Sequence, residues 1–429
     1  MNTVKLKIAE GVHIPFNKDL MLYIMLCIAW SPILLKYLRG VYTRLPFIGE
    51  DRVDLAIIAT VALSVIASLP ALINRFSIID YIFYTLNVFY ILACYVFFPE
   101  NKAYLDENAL VCIFCVFTYY FVGRTIELER LWNVLVFLSA ICIFANVFYY
   151  FILSPINKVA SEVMGNDNMN AAYSALPHVA LILWSTMERF RLWKVFVLLV
   201  GSMFLLSCGT RGPFLCMGIF GIIYFFFYMN FKGAIYVKTG IITAFALLIA
   251  TLNTTLYYIA FLFTNLNLST RILEHLVTGE LGNYSSRSIL REKLEYIMDK
   301  SDHFWGLGAF GCRNYNIIYP HFLPLDFAVT YGYVLGYFLL FLVTALILYS
   351  LWISRGTKRQ IFIIYMISIS IIKLMLSNTF LLEPYFYMLI GVCASEILIK
   401  HETDNVSIRD AARSNQNGAF GQGTAEASQ

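Results

Sequence analysis

The feature that excludes most folds is a series of apolar runs, many of them near the ~20 residues a helix needs to cross the hydrocarbon of a bilayer. They fall near residues 19–38, 53–73, 78–98, 108–123, 131–153, 170–187, 193–208, 211–231, 238–262, 325–352, 360–377 and 380–399. Backbone N–H and C=O groups find no partner in lipid, so each run must be helical. The chain is therefore expected to be all-α, a polytopic transmembrane bundle of about twelve spans. The divisions at Pro70, at 208/211 and at 377/380 are the least sharply drawn. Composition agrees: 60% of the 429 residues are hydrophobic and 14% are charged. A soluble protein is roughly half apolar and about a quarter charged, and only lipid-facing surface calls for more.

The position of the charges sets an orientation. With the N-terminus inside, the short inner segments carry Lys5, Lys7, Lys18, Arg75, Arg124, Arg130, Arg189, Arg191, Lys194, Lys232, Lys238, Arg355, Lys358, Arg359, Lys400, Arg409 and Arg413. The short outer segments carry Lys36, Arg39, Arg44, Arg52, Lys102, Lys158 and Arg211. The excess of inner Lys and Arg predicts both termini in the cytoplasm and an even number of spans, although the first outer loop is more basic than the rule expects. Lys5, Lys7 and Lys18 precede the first run and no small-residue cleavage site follows it, so it reads as a span rather than a removed signal peptide. Residues 1–400 form one transmembrane domain that includes a long external loop, 264–324. Residues 401–429, rich in Ser, Asn, Gly and Ala, read as a disordered cytoplasmic tail.

The nine cysteines form no framework. Cys112 and Cys115 spell CxxC inside an apolar run, where they serve as small hydrophobes rather than a redox or zinc pair. Cys208 and Cys312 both fall on the outer side, where a bridge between them is conceivable.

Nearly all connections are short, and a loop as long as 264–324 in a compact bundle is usually functional. It holds Arg271, Arg287, Arg291, Lys293, Lys300 and Arg313 together with His275, His303 and His321. Ser285 and Ser286 can cap a helix from Arg287, and Leu290, Leu294, Ile297 and Met298 recur at helical spacing. This amphipathic helix lies either on the bilayer or on the mouth of the bundle. Arg287 and Arg291, four apart, share one face, which suits a phosphate or pyrophosphate, although taken alone the pair is more simply read as snorkelling to lipid headgroups. Gly306 to Gly311 spells GxGxxG but lacks a strand before it and a helix after it, so it reads as a turn that allows close backbone packing. His321, just before the tenth run with Asp326 five residues on, is either a general base or an ordinary interfacial histidine.

Two further elements lie near the same edge. Thr210-Arg211-Gly212-Pro213 separates two apolar runs with little room for a loop, which holds Arg211 at or within the membrane edge. Pro213 fits the first turn of the next helix, so Arg211 and that helix N-terminus together suit an anion. Asn166, Asn168 and Asn170 before the sixth run suit a hydroxyl-rich ligand or a plain turn and cap. Lys373 is an ionisable group inside the eleventh run, beside Ser377 and Asn378.

In this order, the amide-rich entry, the Arg-Gly edge motif, one more span, and a long loop with an arginine helix, a glycine turn and a histidine resemble the O-antigen ligase/polymerase superfamily. That group includes Wzy-type polysaccharide polymerases and the O-antigen ligases. The likeness runs from about Asn166 to Gly336. Thr210-Arg211-Gly212 looks like the family's Ser-Arg-Gly, Arg287 like its helix arginine, Gly306-Leu307-Gly308 like its glycine turn, and His321 with Gly332 and Gly336 like its His-Asn…Gly…Gly element. Thr210 replaces a serine, and Phe322 stands where the family has asparagine after the histidine.

The resemblance implies a metal-independent glycosyltransferase without cofactor at the outer face of the bacterial cytoplasmic membrane. It would polymerise undecaprenyl-pyrophosphate-linked repeat units into a surface polysaccharide. Arg211 and Arg287 would neutralise the leaving pyrophosphate and His321 would act on the attacking hydroxyl, with Arg291, Arg313, Asn168, Asn170 and Asp326 as substrate-binding candidates. No Asp-x-Asp motif or ligand-spaced His cluster calls for a metal. The implied partners are the lipid-linked glycan donor and acceptor, membrane lipids, a chain-length regulator and a flippase, and no nucleic acid. Two alternatives stand beside this reading. One is ligase-type transfer to a lipid, wall or protein acceptor, and the other is a lipid-linked oligosaccharide transporter. A transporter is expected to show internal repeats and polar groups near mid-membrane, and the sequence shows no repeat.

Overall fold

This computed structural model describes residues 3–9, 12–17, 76–153, 166–229, 286–300 and 305–399, with isolated helical positions between 26 and 66 and between 235 and 261. The expected spans at 19–38, 53–73 and 238–262 lie largely outside these residues, and Arg271, His275, His303 and the tail lie wholly outside them.

The described bundle is helical. Its elements are α1 (Ile78–Phe97), α2 (Lys102–Thr125), α3 (Leu128–Phe148), α4 (Asn166–Glu188), α5 (Leu192–Ser207), α6 (Arg211–Ile223), α7 (Ser286–Lys300), α8 (Leu323–Tyr331), α9 (Tyr333–Ile353), α10 (Lys358–Ile369), α11 (Ile371–Leu376) and α12 (Pro384–Ile399). π-helical turns follow α3 at Tyr149–Leu153 and α6 at Tyr224–Tyr228. Among the described residues, six stretches are long and apolar enough to cross a membrane: Ile78–Phe97, Pro99–Thr125, Leu128–Phe151, Arg211–Tyr228, Tyr333–Ile353 and Lys358–Leu376. Helices α5 and α12 are apolar but shorter.

Two elements differ from the sequence expectation. Residues Thr3–Ala9 and Val12–Asn17 pair as an antiparallel hairpin, β1–β2, with a bulge between Lys7 and Ala9. The alternation of Val4, Leu6 and Ile8 with Lys5 and Lys7 is the period-2 pattern of a strand. The tenth run, expected as one helix over 325–352, is cut at Gly332, whose φ of 83° and ψ of 163° terminate α8 and start α9. The chain doubles back there. A Cβ at Gly336 would stand 2.4 Å from the Phe327 carbonyl oxygen, so α9 packs directly on the α8 backbone. Hydropathy cannot register such a break, because both sides of it are apolar.

The faces of the helices sort as lipid requires. Phe89, Phe341 and Leu348 on α1 and α9 are largely exposed, whereas Trp30, Trp184, Phe220, Phe362 and Tyr365 fill the interior with almost no exposure. Trp30 stacks on Tyr365 at 6.2 Å and donates its Nε1–H to Ser139 at 3.1 Å. Helices α2 and α12 approach backbone to backbone. A Cβ at Gly123 would lie 2.1 Å from the Met388 carbonyl oxygen, and one at Gly391 would lie 2.0 Å from that of Tyr120. Small residues permit this kind of approach between helices in a membrane. Gly123→Ala is therefore expected to cost about 1–3 kcal/mol through overpacking, read as a lower thermal midpoint in detergent. An unchanged midpoint would show that the helices separate freely.

The polar groups divide between two ends. At one end Arg124 pairs with buried Asp80 at 3.4 Å, Lys358 with Glu188 at 2.9 Å, and Arg359 with Glu396. Lys358 also covers the Trp132 ring at 3.8 Å. At the other end lie Asn101, Asn168, Arg211, Arg291, Arg313, His321 and the Lys373–Glu383 pair, reached by walking alternately up and down the helices.

Candidate functional site

The second end is built around the N-terminus of α6. Arg211 is the first residue of that helix and is exposed, while Pro213 is buried in its first turn. The N-cap position is Thr210, whose side chain makes no capping bond and whose Oγ1 is buried without a partner. The first N–H groups of an uncapped helix carry partial positive charge and attract an anion. The glycine of the edge motif has a steric cause. A Cβ at Gly212 would come within 2.0 Å of the Tyr173 hydroxyl oxygen from α4 and 3.7 Å from Leu376 at the end of α11.

Helix α7 closes over this region. Leu294 and Met298 are buried, and with Leu290 and Ile297 they pack against Leu307, Cys312, Ile317, Leu325 and Val329. The amphipathic helix therefore seats its apolar stripe on the bundle mouth, which resolves the alternative left open by its pattern. Arg287 and Arg291 stand on it, half-buried. Arg291 is occupied: its Nη2 donates to the carbonyl of His321 at 2.7 Å and to that of Met375 at 3.2 Å, and its guanidinium lies 4.6 Å from the centre of the Phe322 ring. The Phe322 ring thus supports this arginine. Arg287 stands near enough for its charge to act on both His321 and Tyr173.

His321 occupies a left-handed backbone conformation, φ 57°, which is uncommon outside glycine. Its carbonyl is held by Arg291, and its ring packs 4.4 Å from that of Tyr319. Strained backbone of this kind persists where surrounding contacts over-determine it. Burial, then the charges of Arg287 and Arg291, push the imidazole down to about 4, against a weaker opposing pull from the Leu376 carbonyl. The ring is accordingly neutral at pH 7, and its buried Nδ1 has no hydrogen-bond partner. Around Tyr173, Gly212 and Leu376, the structure thus brings Arg287 and His321 to the first turn of α6, whose first residue is Arg211.

The remaining candidates stand differently. Asn168 accepts from the Tyr150 hydroxyl at 2.9 Å and so ties α4 to the π-helical turn, while Asn170 is exposed nearby on α4. Arg313 belongs to the glycine turn and α2: it meets Glu107 at 3.9 Å and lies over the rings of Phe310 and Tyr104. Asp326 is a buried brace, because its Oδ2 accepts the Phe380 N–H at 2.9 Å and so is turned away from any ligand at the rim. The Gly306–Gly311 turn does pack closely. Gly306 and Gly308 have positive φ, a Cβ at Gly306 would meet Gly332 N at 2.5 Å, and the Asn101 amide donates to the Leu307 carbonyl at 2.7 Å. Cys208 and Cys312 are free thiols. Among the described residues, no group of three or more His, Cys, Asp or Glu side chains is placed to hold a metal ion.

No family model, curated protein or solved structure matches this chain. Two residues of the site had no role in the sequence expectation. Tyr173 carries no signal, being one tyrosine among 29. Glu383 does carry one, as a carboxylate inside an apolar run. It is fully buried and pairs with Lys373 at 2.5 Å, with the Asn378 amide donating to the same oxygen at 2.8 Å.

Proposed function

We propose that this chain is a metal-independent glycosyltransferase that polymerises undecaprenyl-pyrophosphate-linked oligosaccharide repeat units at the outer face of a bacterial cytoplasmic membrane. The observation that carries the reading is the gathering of Arg211, Arg287 and a neutral His321 around the uncapped N-terminus of α6. Glycosyl transfer from a lipid pyrophosphate breaks the bond from the anomeric carbon to the phosphate oxygen. Negative charge grows on the leaving pyrophosphate, and fixed cations aimed at it lower the barrier. The attacking sugar hydroxyl loses its proton, and a neutral imidazole accepts it. Arg211 and Arg287 supply the cations, His321 the base, and Arg291 holds the His321 backbone in place. The positive-inside pattern puts this end outside, with both termini in the cytoplasm. Ligase-type transfer employs the same donor and the same residues and differs in its acceptor.

The pH dependence tests the base. A group whose folded pKa lies near 4 stays neutral as pH falls through the range where an ordinary histidine protonates. kcat/KM, which reports the free enzyme, is therefore expected to hold down to about pH 5 and to fall with an acid limb near 4. A limb near the ordinary histidine value would place the base in water rather than in this pocket.

A transporter of lipid-linked oligosaccharide is the second reading. It is favoured by the buried Lys373–Glu383 pair beside two interrupted helices, α8/α9 and α10/α11. The two readings differ in product. Polymerisation lengthens the glycan and releases undecaprenyl pyrophosphate, whereas transport moves an unchanged molecule across the bilayer.

A further inference from the structure

Tyr173 of α4 lies within the same cluster and is assigned no task by the reading above. It is 7% exposed, yet among the described residues its hydroxyl makes no hydrogen bond. A side chain this deeply buried whose accessible hydroxyl has no protein partner leaves that donor open to a ligand. The surroundings of this one favour an anion, apart from the Glu383 carboxylate, whose charge is matched by Lys373. The hydroxyl oxygen lies against Gly212 in the first turn of α6, the residue after Arg211 and two after Thr210, whose Oγ1 is buried without a partner. Arg287 is close enough to act on it electrostatically. On the ring itself, the Lys373 ammonium sits 5.1 Å from the centroid. A cation over a phenol draws electron density from the ring and makes its O–H a stronger donor.

The rest of the arrangement fixes that ring. Lys373 is held by fully buried Glu383, and Glu383 is held in turn by Asn378, itself in a left-handed backbone conformation. Ser377, on the same segment, contacts Met169 one helical turn before Tyr173 through its hydroxyl, 3.6 Å from the sulfur. Gly212 leaves the hydroxyl its space, since any Cβ there would occupy it. An aromatic side chain braced on one side by an ion pair and on the other by a glycine is held for its polar tip.

We infer that the Tyr173 hydroxyl is a hydrogen-bond donor to a phosphate or pyrophosphate group bound at the N-terminus of α6, with Lys373 and Glu383 positioning it. The inference rests on the reading of this rim as a pyrophosphate site and adds to it a neutral donor besides the arginines. It also gives the Gly212 position a specific purpose: a larger residue excludes the donor rather than the helix.

The test is binding of inorganic pyrophosphate to the full-length protein in detergent, measured by calorimetry. Tyr173→Phe keeps the ring and its contact with Lys373 and removes only the hydroxyl. It is expected to weaken binding about tenfold, the effect of one hydrogen bond to a charged group, with an unchanged thermal midpoint in the absence of ligand. Gly212→Ala is expected to weaken binding in the wild-type background and to have a much smaller effect when Tyr173 is already phenylalanine, because both changes remove the same contact. A merely structural tyrosine would give additive effects. Wild-type protein that binds pyrophosphate while Tyr173→Phe binds equally well would overturn the assignment of Tyr173 alone. Wild-type protein that binds no pyrophosphate would overturn both this inference and the proposed donor chemistry.

Discussion

Arg211→Ala is expected to lower glycan polymerisation by about 10²–10³-fold, the effect of removing one preorganised group that stabilises developing charge. The protein is expected to remain folded in the membrane, because Arg211 is exposed at the first turn of α6 and forms none of the described ion pairs. The loss should fall on kcat as well as on kcat/KM, since the leaving pyrophosphate gains charge only as the glycosidic bond breaks. Arg211→Lys is expected to recover part of the rate. An ammonium keeps the charge but not the paired, planar donors of a guanidinium. Membrane fractions from cells carrying each variant, analysed for chain length and for the amount of folded protein, separate the chemical effect from an effect on abundance. Normal chain lengths in Arg211→Ala would remove the cation from the mechanism. The corresponding loss in Arg291→Ala has a different origin. That side chain clamps the carbonyls of His321 and Met375, so its removal frees the left-handed turn at His321.

The second large effect concerns stability. Lys373→Met leaves Glu383 fully buried with its main partner gone, and one member of a buried pair left alone costs about 3–5 kcal/mol. Glu383 already has one oxygen, Oε1, without a hydrogen-bond partner, so among the described residues the Asn378 amide is then its remaining side-chain donor. The expected result is a marked fall in thermal midpoint and loss of pyrophosphate affinity together. Replacing both residues, Lys373→Met with Glu383→Leu, is expected to restore most of the stability, since well-packed apolar residues often replace a buried pair at no cost. The double variant should nevertheless stay weak in pyrophosphate binding, because the cation over Tyr173 is absent. A single variant as stable as wild type would show that the pair is hydrated rather than buried.

How much of this was legible in the sequence follows from what hydropathy and spacing can see. The apolar runs located α1, α3 and α5 closely, because an apolar surface must be continuous wherever lipid touches it. The same signal was blind to Gly332, where φ rather than polarity ends the helix, and so merged α8 with α9. It was also blind to β1–β2, whose alternation of apolar and basic residues lies outside any long apolar run. For the site, Arg211 and Arg287 stood out because arginine beside lipid is costly, and His321 because it opens an apolar run. The packing partners had no such mark. Tyr173 and Phe322 are two aromatic residues among many, and only their neighbours, Gly212 and Arg291, give them a task. Arg291 and Asp326 illustrate the reverse: residue types suited to a ligand, placed four and five positions from Arg287 and His321, whose polar atoms are taken up by backbone groups of the protein itself.

The most direct test of the central claim is reconstitution. Purified full-length protein in liposomes is supplied with an undecaprenyl-pyrophosphate-linked oligosaccharide on the face that carries Arg211 and His321, in the presence of a chelator. The expected result is a ladder of longer glycans with one undecaprenyl pyrophosphate released for each repeat added, and no ladder with His321→Ala protein of the same thermal midpoint. Glycans of unchanged length that appear on the opposite leaflet, or a full ladder from the His321→Ala protein, would contradict it.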